Sequence, residues 1–284
     1  MKLRVLVDNN TLIDRYFLAE PGLSLHIEIG DQRILFDTGY SEIFLSNAAK
    51  MGVDLLDLDA VVLSHAHLDH TWGLGHLIQR RAEAGFEGAA ANRPALLAHP
   101  EVFLPRTIDG LGEIGTMIDA RTAGEWFELR LTADPVWLHP NLVFLGQIER
   151  TFAFEGQTPI GRIHGRAGPE PDFLLDDSAL AFTSDRGLVV ITGCAHAGIC
   201  NTVAWAMKVC RETRIADIVG GFHLLDPPES QLAETVDCFR RWRPAAVHAC
   251  HCTDYRSKLA LSQVAPLEEV GVGLELSHDE SETE

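Results

Sequence analysis

The chain lacks any apolar run approaching the roughly 20 residues that a membrane-spanning helix needs, so no segment reads as a membrane span. Its first residues, MKLRVLVDNN, turn polar soon after Lys2 and Arg4, where a secretory leader would carry its apolar stretch. Basic residues are scarce as well. Lys plus Arg number 23 against 41 Asp plus Glu, a formal charge of −18. A sequence-independent grip on phosphate backbones needs clustered cations to displace counterions, so neither nucleic acid nor a membrane is the expected partner. Cysteine is absent before Cys194, and the uneven spacing of Cys194, Cys200, Cys210, Cys238, Cys250 and Cys252 is not that of a secreted disulfide framework. Reduced thiols and a cytoplasmic location are expected.

What is present fits an ordinary globular protein. With 284 residues, 46% of them apolar and 23% charged, disordered and collagen-like classes are excluded and an α/β core is affordable in size. Residues 23–29 (LSLHIEI) alternate apolar and polar, and after Gly30, Asp31 and Gln32 the chain continues as RILFDTG, which predicts a hairpin. Residues 58–63 (LDAVVL) read as a short buried strand that stops at SHAHLDH, and residues 71–84 read as a helix. The second half repeats this plan. Residues 187–192, 215–219 and 245–249 are apolar strands separated by helices predicted over 201–212, with Asn201 as its cap, and 229–242. Such a βαβαβ unit requires parallel strands, whose carboxyl ends lie along one edge.

Histidine gathers at those strand ends. His65, His67 and His70 follow the first of these four strands, and His196, His223 and His251 follow the other three. Such placement predicts metal ligation, whereas His26, His76, His99, His139, His164, His248 and His278 are expected to be ordinary hydrogen-bonded residues. In an extended segment His65 and His67 point the same way and grip one ion, completed by His196. Asp69 and His70, displaced by a turn, suit a second ion, completed by His251. Imidazole and carboxylate donors fit two divalent ions, zinc first, with iron and manganese as alternatives. Cys250 and Cys252 are expected to be buried thiols facing away from His251.

In these residues the chain resembles the metallo-β-lactamase superfamily over nearly its whole length: the hairpin ending Phe36-Asp37-Thr38-Gly39, the SHAHLDH loop, His196 and His251 occur in that family's order. The resemblance implies a four-layer αββα sandwich built from two similar halves, here a single domain over residues 1–284. It implies a dinuclear centre with His65, His67 and His196 on one metal, Asp69, His70 and His251 on the other, and Asp37 orienting a ligand histidine. The family's bridging aspartate has no acid in its place at the strand end, Gly220-Gly221-Phe222-His223, and the alternative, Asp226, sits beside Pro227 and Pro228 in a stretch that leads away from the edge. His223 is therefore expected to take a metal or substrate role.

Further motifs, HPEVFLPR (99–106), LGQIERTFAFE (145–155), DDSALAF (176–182), TGCAHAGICNT (192–202), GGFHL and HCT, resemble the 7,8-dihydropterin-6-methyl-4-(β-D-ribofuranosyl)aminobenzene-5′-phosphate synthase branch, with Asp254 where that branch generally has glycine. This implies a small-molecule substrate carrying a pterin or a phosphate. The alternatives are a general phosphodiesterase or lactonase using a metal-activated hydroxide, since bound cations lower the pKa of water from about 15.7 toward roughly 7, and a non-catalytic metal-containing ligand sensor. Asp69 and His223 are the candidates to relay a proton. Arg106, Arg150 and Arg166 are candidate phosphate holders, and Trp72 and Phe222 candidate pocket walls, with His223 beside them as a substrate contact. Residues 85–124 are expected to form an excursion that shapes the pocket or a homo-oligomer contact, and residues 278–284 a frayed acidic tail.

Overall fold

The computed structural model describes residues 1–89 and 92–280. In chain order the elements are β1 (Lys2–Val7), β2 (Ser24–Ile29), β3 (Gln32–Phe36), α1 (Ile43–Lys50), β4 (Ala60–Val62), α2 (Leu68–Thr71), α3 (Gly73–Phe86), β5 (Ala95–Ala98), β6 (Arg106–Ile108), β7 (Gly112–Glu113), α4 (Ala120–Trp126) and β8 (Glu128–Leu131). They continue with β9 (Val136–His139), β10 (Leu142–Phe144), β11 (Arg162–Gly165), β12 (Gly168–Pro171), β13 (Ala179–Ser184), β14 (Gly187–Thr192), α5 (Ile199–Cys210), β15 (Ile215–Gly221), α6 (Glu229–Trp242), β16 (Val247–Cys250), α7 (Tyr255–Leu261) and β17 (Glu275–Ser277). The chain divides into two compact units, the first comprising Met1–Thr132, Ile160–Asp172 and Gly271–Ser277, the second Ala133–Pro159, Phe173–Val270 and the residues from His278 onward.

The first unit is built on a seven-stranded sheet ordered β17-β1-β2-β3-β4-β5-β8. The predicted hairpin is β2 and β3, antiparallel with Ile27 opposite Ile34, and the sheet becomes parallel from β3 through β4 and β5 to β8. Alternate strand residues Leu6, Leu35, Val61 and Leu96 pack with Phe44 of α1, Leu74 and Leu77 of α3 and Ala123 of α4 in one apolar cluster. Each such Leu, Val or Phe side chain, fully buried, contributes about 1.5–3 kcal/mol. Residues 85–124 do not make one excursion. They supply β5, between β4 and β8 in the main sheet, together with α4 and strands β6 and β7 of a small sheet ordered β12-β11-β6-β7.

The second unit repeats the plan with a six-stranded sheet ordered β16-β15-β14-β13-β10-β9, parallel from β14 to β16 and antiparallel elsewhere. Val143, Ala181, Val190, Ile218 and Val247 of the sheet pack with Val203 of α5, Phe239 of α6 and Leu261 of α7. The two similar halves expected from the sequence are thus present, each an antiparallel meander followed by parallel crossovers.

Helix α6 occupies the predicted residues, but α5 starts two residues earlier than Asn201. Its first amide groups are satisfied from far away in sequence: the Glu155 carboxylate accepts from Cys200 N at 3.3 Å and Asn201 N at 2.6 Å. That long-range cap frees the Asn201 side chain, whose Oδ1 accepts from Thr151 N and Phe152 N and whose Nδ2 donates to Ala197 O. The capping residue Gly198 has φ +102°, and a Cβ there would lie 2.1 Å from the Glu155 carboxyl carbon. The acidic tail falls partly outside the described residues. Within them, Glu280 bridges to Ser184 and His278 lies 3.6 Å from Asp217.

Candidate functional site

In the first unit the donors cluster just beyond β4. His65 and His70 are fully buried and His67 nearly so, and the His65 ring lies 4.3 Å from that of His70 and 4.8 Å from that of His67. The turn of α2 brings the His70 ring at least as close to that of His65 as the His67 ring is. Asp69 Oδ2 is 3.7 Å from His70 Nε2, and its side chain is about a quarter exposed (25%).

Asp37, directly after β3, organises this group. Its Oδ1 accepts from Ser64 N at 2.7 Å, and its Oδ2 accepts from Ser64 Oγ at 2.7 Å and lies 2.7 Å from His70 Nδ1. Ser64 Oγ in turn lies 2.9 Å from His65 Nδ1. A carboxylate holding Nδ1 of a histidine fixes the tautomer that presents Nε2 as a donor and raises its basicity. Asp37 itself has φ +56°, a left-handed conformation costing a non-glycine residue on the order of 1–2 kcal/mol.

In the second unit the strand ends β14, β15 and β16 carry the remaining donors. Ala195, His223 and His251 all sit in the same left-handed region, at φ +55°, +50° and +50°. Strained backbone at three neighbouring strand ends marks a place where the fold over-determines conformation, as functional loops do. The His196 ring lies 4.3 Å from that of His223, and His251 Nε2 lies 3.1 Å from Cys194 Sγ. Because β16 stops at Cys250, alternation does not carry past it: the Cys252 sulfur accepts from His223 N at 3.2 Å, at the end of the neighbouring strand. The end of β15 is crowded. A Cβ on Gly221 would meet Gly193 O at 2.5 Å and Cys252 Sγ at 2.7 Å.

Three residues of this region were not singled out from the sequence. Asp177, buried, accepts from Ala197 N at 2.8 Å, and burial pushes its carboxyl up to about 7. Glu155, likewise buried, is pushed up to about 8 against the pull of its two amide donors. Cys194 is the third. Asp177 and Glu155 fall inside motifs that carried the resemblance, which was the available signal.

The candidate phosphate holders are engaged elsewhere. Arg106 is fully buried, with Nε 2.7 Å from Asp172 and Nη1 donating to the carbonyls of Glu101 and Leu104. Arg150 donates to the carbonyls of Gly156 and Leu174, and Arg166 is exposed in the turn between β11 and β12. Phe222 lies in the apolar cluster of the second unit, 5.9 Å from the Phe239 ring, and so packs as core. Trp72 stacks on Tyr40 at 5.2 Å and donates to Gly115 O.

Buried imidazoles, one flanking carboxylate and a carboxylate oriented behind a histidine form a donor set suited to divalent ions and unsuited to a hydrophobic interior. The family model of the metallo-beta-lactamase superfamily matches residues 19–203, and the chain belongs to that superfamily. Within it, the chain is 27% identical over 268 residues to the 7,8-dihydropterin-6-methyl-4-(beta-D-ribofuranosyl)-aminobenzene-5′-phosphate synthase of Methanocaldococcus jannaschii, covering 91% of this chain and 89% of that protein. A crystal structure of Tm1679, a metal-dependent hydrolase of the beta-lactamase superfamily, is similar at TM-score 0.81 and 27% identity over 99% of this chain and 100% of the other. The Bacillus subtilis metallo-beta-lactamase fold protein YhfI shares the fold at TM-score 0.58 and 14% identity, over 97% and 99% of the two chains. The resemblance read from the motifs is borne out, and membership implies divalent metal binding. Among the described residues no helix is long and apolar enough to cross a membrane.

Proposed function

We propose that the protein is a dinuclear metal-dependent enzyme acting on a small molecule, in which His65, His67, Asp69, His70, His196 and His251 ligate two divalent ions. The observation that carries this reading is the buried group His65, His67 and His70 with Asp37 held 2.7 Å behind His70 Nδ1. Three imidazoles grouped beside an acid, one of them oriented by a carboxylate behind it, make the arrangement that serves a metal. Bound divalent ions supply Lewis acidity toward a carbonyl or phosphoryl oxygen.

The chain's own residues then have separable tasks. Asp37 keeps the proton on His70 Nδ1, so that Nε2 stays a donor. Asp69 Oδ2, the more exposed acid, accepts or returns a proton on the substrate side. His223, whose left-handed backbone sets its ring against that of His196, contacts substrate and shares the relay. The substrate class follows the Methanocaldococcus jannaschii relative, whose named product joins a pterin to a ribofuranosylaminobenzene phosphate, so the substrates are a pterin and a ribofuranosylaminobenzene phosphate.

The test is elemental analysis of protein purified without added metal, followed by turnover measurements on the loaded protein. Condensation of a ribofuranosylaminobenzene 5′-phosphate with a dihydropterin that carries a leaving group on its 6-methyl carbon, the arylamine losing a proton as that group departs, supports the synthase reaction. Turnover confined to nitrophenyl phosphodiesters or lactones assigns a hydrolase instead. Metal-loaded protein that turns over none of them, and in which a chelator changes only the melting temperature, overturns the enzyme reading in favour of a metal-containing sensor.

A further inference from the structure

We infer that Cys194 is a metal ligand, its thiolate a soft anionic donor beside His196 on one side and beside His251, which belongs to a separate donor group, on the other. The inference rests on the metal-dependent reading above and extends its ligand set. Cys194 is buried, two residues beyond β14. Its Sγ lies 3.1 Å from His251 Nε2 and within 4.8 Å of a ring nitrogen of His196. With zinc–sulfur and zinc–nitrogen bonds of about 2.3 and 2.0–2.1 Å, donor atoms around a tetrahedral ion stand roughly 3.5 Å apart. The 3.1 Å spacing to His251 is close to that value, and the spacing to His196 does not exceed 4.8 Å.

Two features of the backbone support the assignment. Ala195 separates Cys194 from His196 in the left-handed region, and His251 is held there too, so the loops that carry all three donors are constrained by strain at their pivots. The end of β15 also admits no side chain. At Gly221 an added Cβ would meet Gly193 O at 2.5 Å, Cys252 Sγ at 2.7 Å and His251 Cδ2 at 3.1 Å. No carboxylate can stand there, and in the second unit the anionic donor beside the imidazoles is sulfur.

Cys252 is the rival thiol; its sulfur accepts from His223 N at 3.2 Å, donates to Cys194 O at 3.5 Å and meets the Cys194 and His223 side chains, but among the described residues it stands in neither donor group that holds Cys194. Binding at Cys194 displaces the thiol proton to solvent, with no change of oxidation state. A thiolate beside imidazoles favours zinc or cobalt over manganese, magnesium and calcium, which prefer oxygen.

The experiment is cobalt(II) reconstitution of the metal-free protein, read by its electronic spectrum. Wild type is expected to show intense near-ultraviolet thiolate-to-cobalt absorption. Cys252→Ser should keep it and Cys194→Ser should lose it, with zinc affinity falling by more than about 100-fold, beyond the loss typical of supporting residues. Cys194→Asp restores an anionic donor and should regain metal without the sulfur band, which separates ligand loss from misfolding. X-ray absorption of zinc-loaded wild type should show a sulfur scatterer at about 2.3 Å. Metal-loaded wild type with only nitrogen and oxygen neighbours, or a sulfur band that survives in Cys194→Ser, overturns the inference while leaving the enzyme reading intact. Wild type that takes up no metal at all overturns both.

Discussion

Asp37 Oδ2 stands 2.7 Å from His70 Nδ1 with both side chains fully buried, 33 residues apart in sequence. The same carboxylate accepts from the amide and hydroxyl of Ser64, next to His65, so one side chain fixes the orientation of the whole histidine loop.

Asp37→Asn preserves the shape but exchanges an acceptor oxygen for a donor group. Metal affinity is expected to fall about 10–100-fold, the range for a residue behind a ligand. Competition with a chromophoric chelator measures it. Affinity equal to wild type would mean that Asp37 only supports the fold.

His67→Ala and His196→Ala should each lower the bound metal by about one of the two proposed equivalents. His223→Ala should retain both ions and change turnover. Mass-spectrometric metal analysis distinguishes the cases, and metal loss in His223→Ala would make that residue a ligand.

Glu155 gives a pH signature. Its carboxyl is raised from 4.5 to about 8 by burial, so between these values the folded protein keeps a proton that the unfolded chain releases. The associated stability is fully present below pH 4.5 and is lost as the pH rises through about 8. Glu155→Gln keeps a neutral cap on α5 and removes this dependence. From pH 5 to pH 9 the metal-free wild type should therefore lose more stability than the variant, on the order of several kcal/mol, measured by urea unfolding.

His26 acts in the opposite direction. Burial, with added repulsion from Arg4, overcomes the attraction of Glu28 and lowers its pKa from 6.5 to about 4. Its contribution is present above pH 6.5 and is lost as the pH falls through about 4, because only the unfolded chain takes up the proton in that window. His26→Gln should flatten this acid limb in unfolding titrations of the metal-free protein.

Gly221→Ala tests the crowded end of β15. The added methyl meets a carbonyl, a sulfur and an imidazole within 3.1 Å, and overpacking of this kind costs about 1–3 kcal/mol. A lowered melting temperature together with weakened metal retention is expected. A drop in stability with unaltered metal affinity would confine the effect to packing.

Much of the fold was legible because the signals were local. The β2–β3 hairpin, β4, β14 and α6 follow from periodicity and apolar runs, and the histidines betrayed themselves by standing where those runs end. The errors arose where a distant residue displaced a local preference. Asn201 is a good cap in isolation, but Glu155, 46 residues away, takes the α5 amides. Cys252 would face away from His251 in a continuing strand, but β16 ends at Cys250 and the left-handed turn at His251 redirects it. Arg106 suited a phosphate until Asp172, 66 residues on, claimed its guanidinium.

The sequence by itself determined the two-halved α/β plan, the superfamily and the imidazoles at the strand ends, because each is written in residue order and in short-range spacing. Tertiary structure alone decided which groups meet: Asp37 with His70, Glu155 with the start of α5, Cys194 with His251, 57 residues apart. Those encounters depend on strand register and on left-handed turns at Asp37, Ala195, His223 and His251. Burial on the sheets enforces such turns against local preference, and no window of sequence contains the forces that do so.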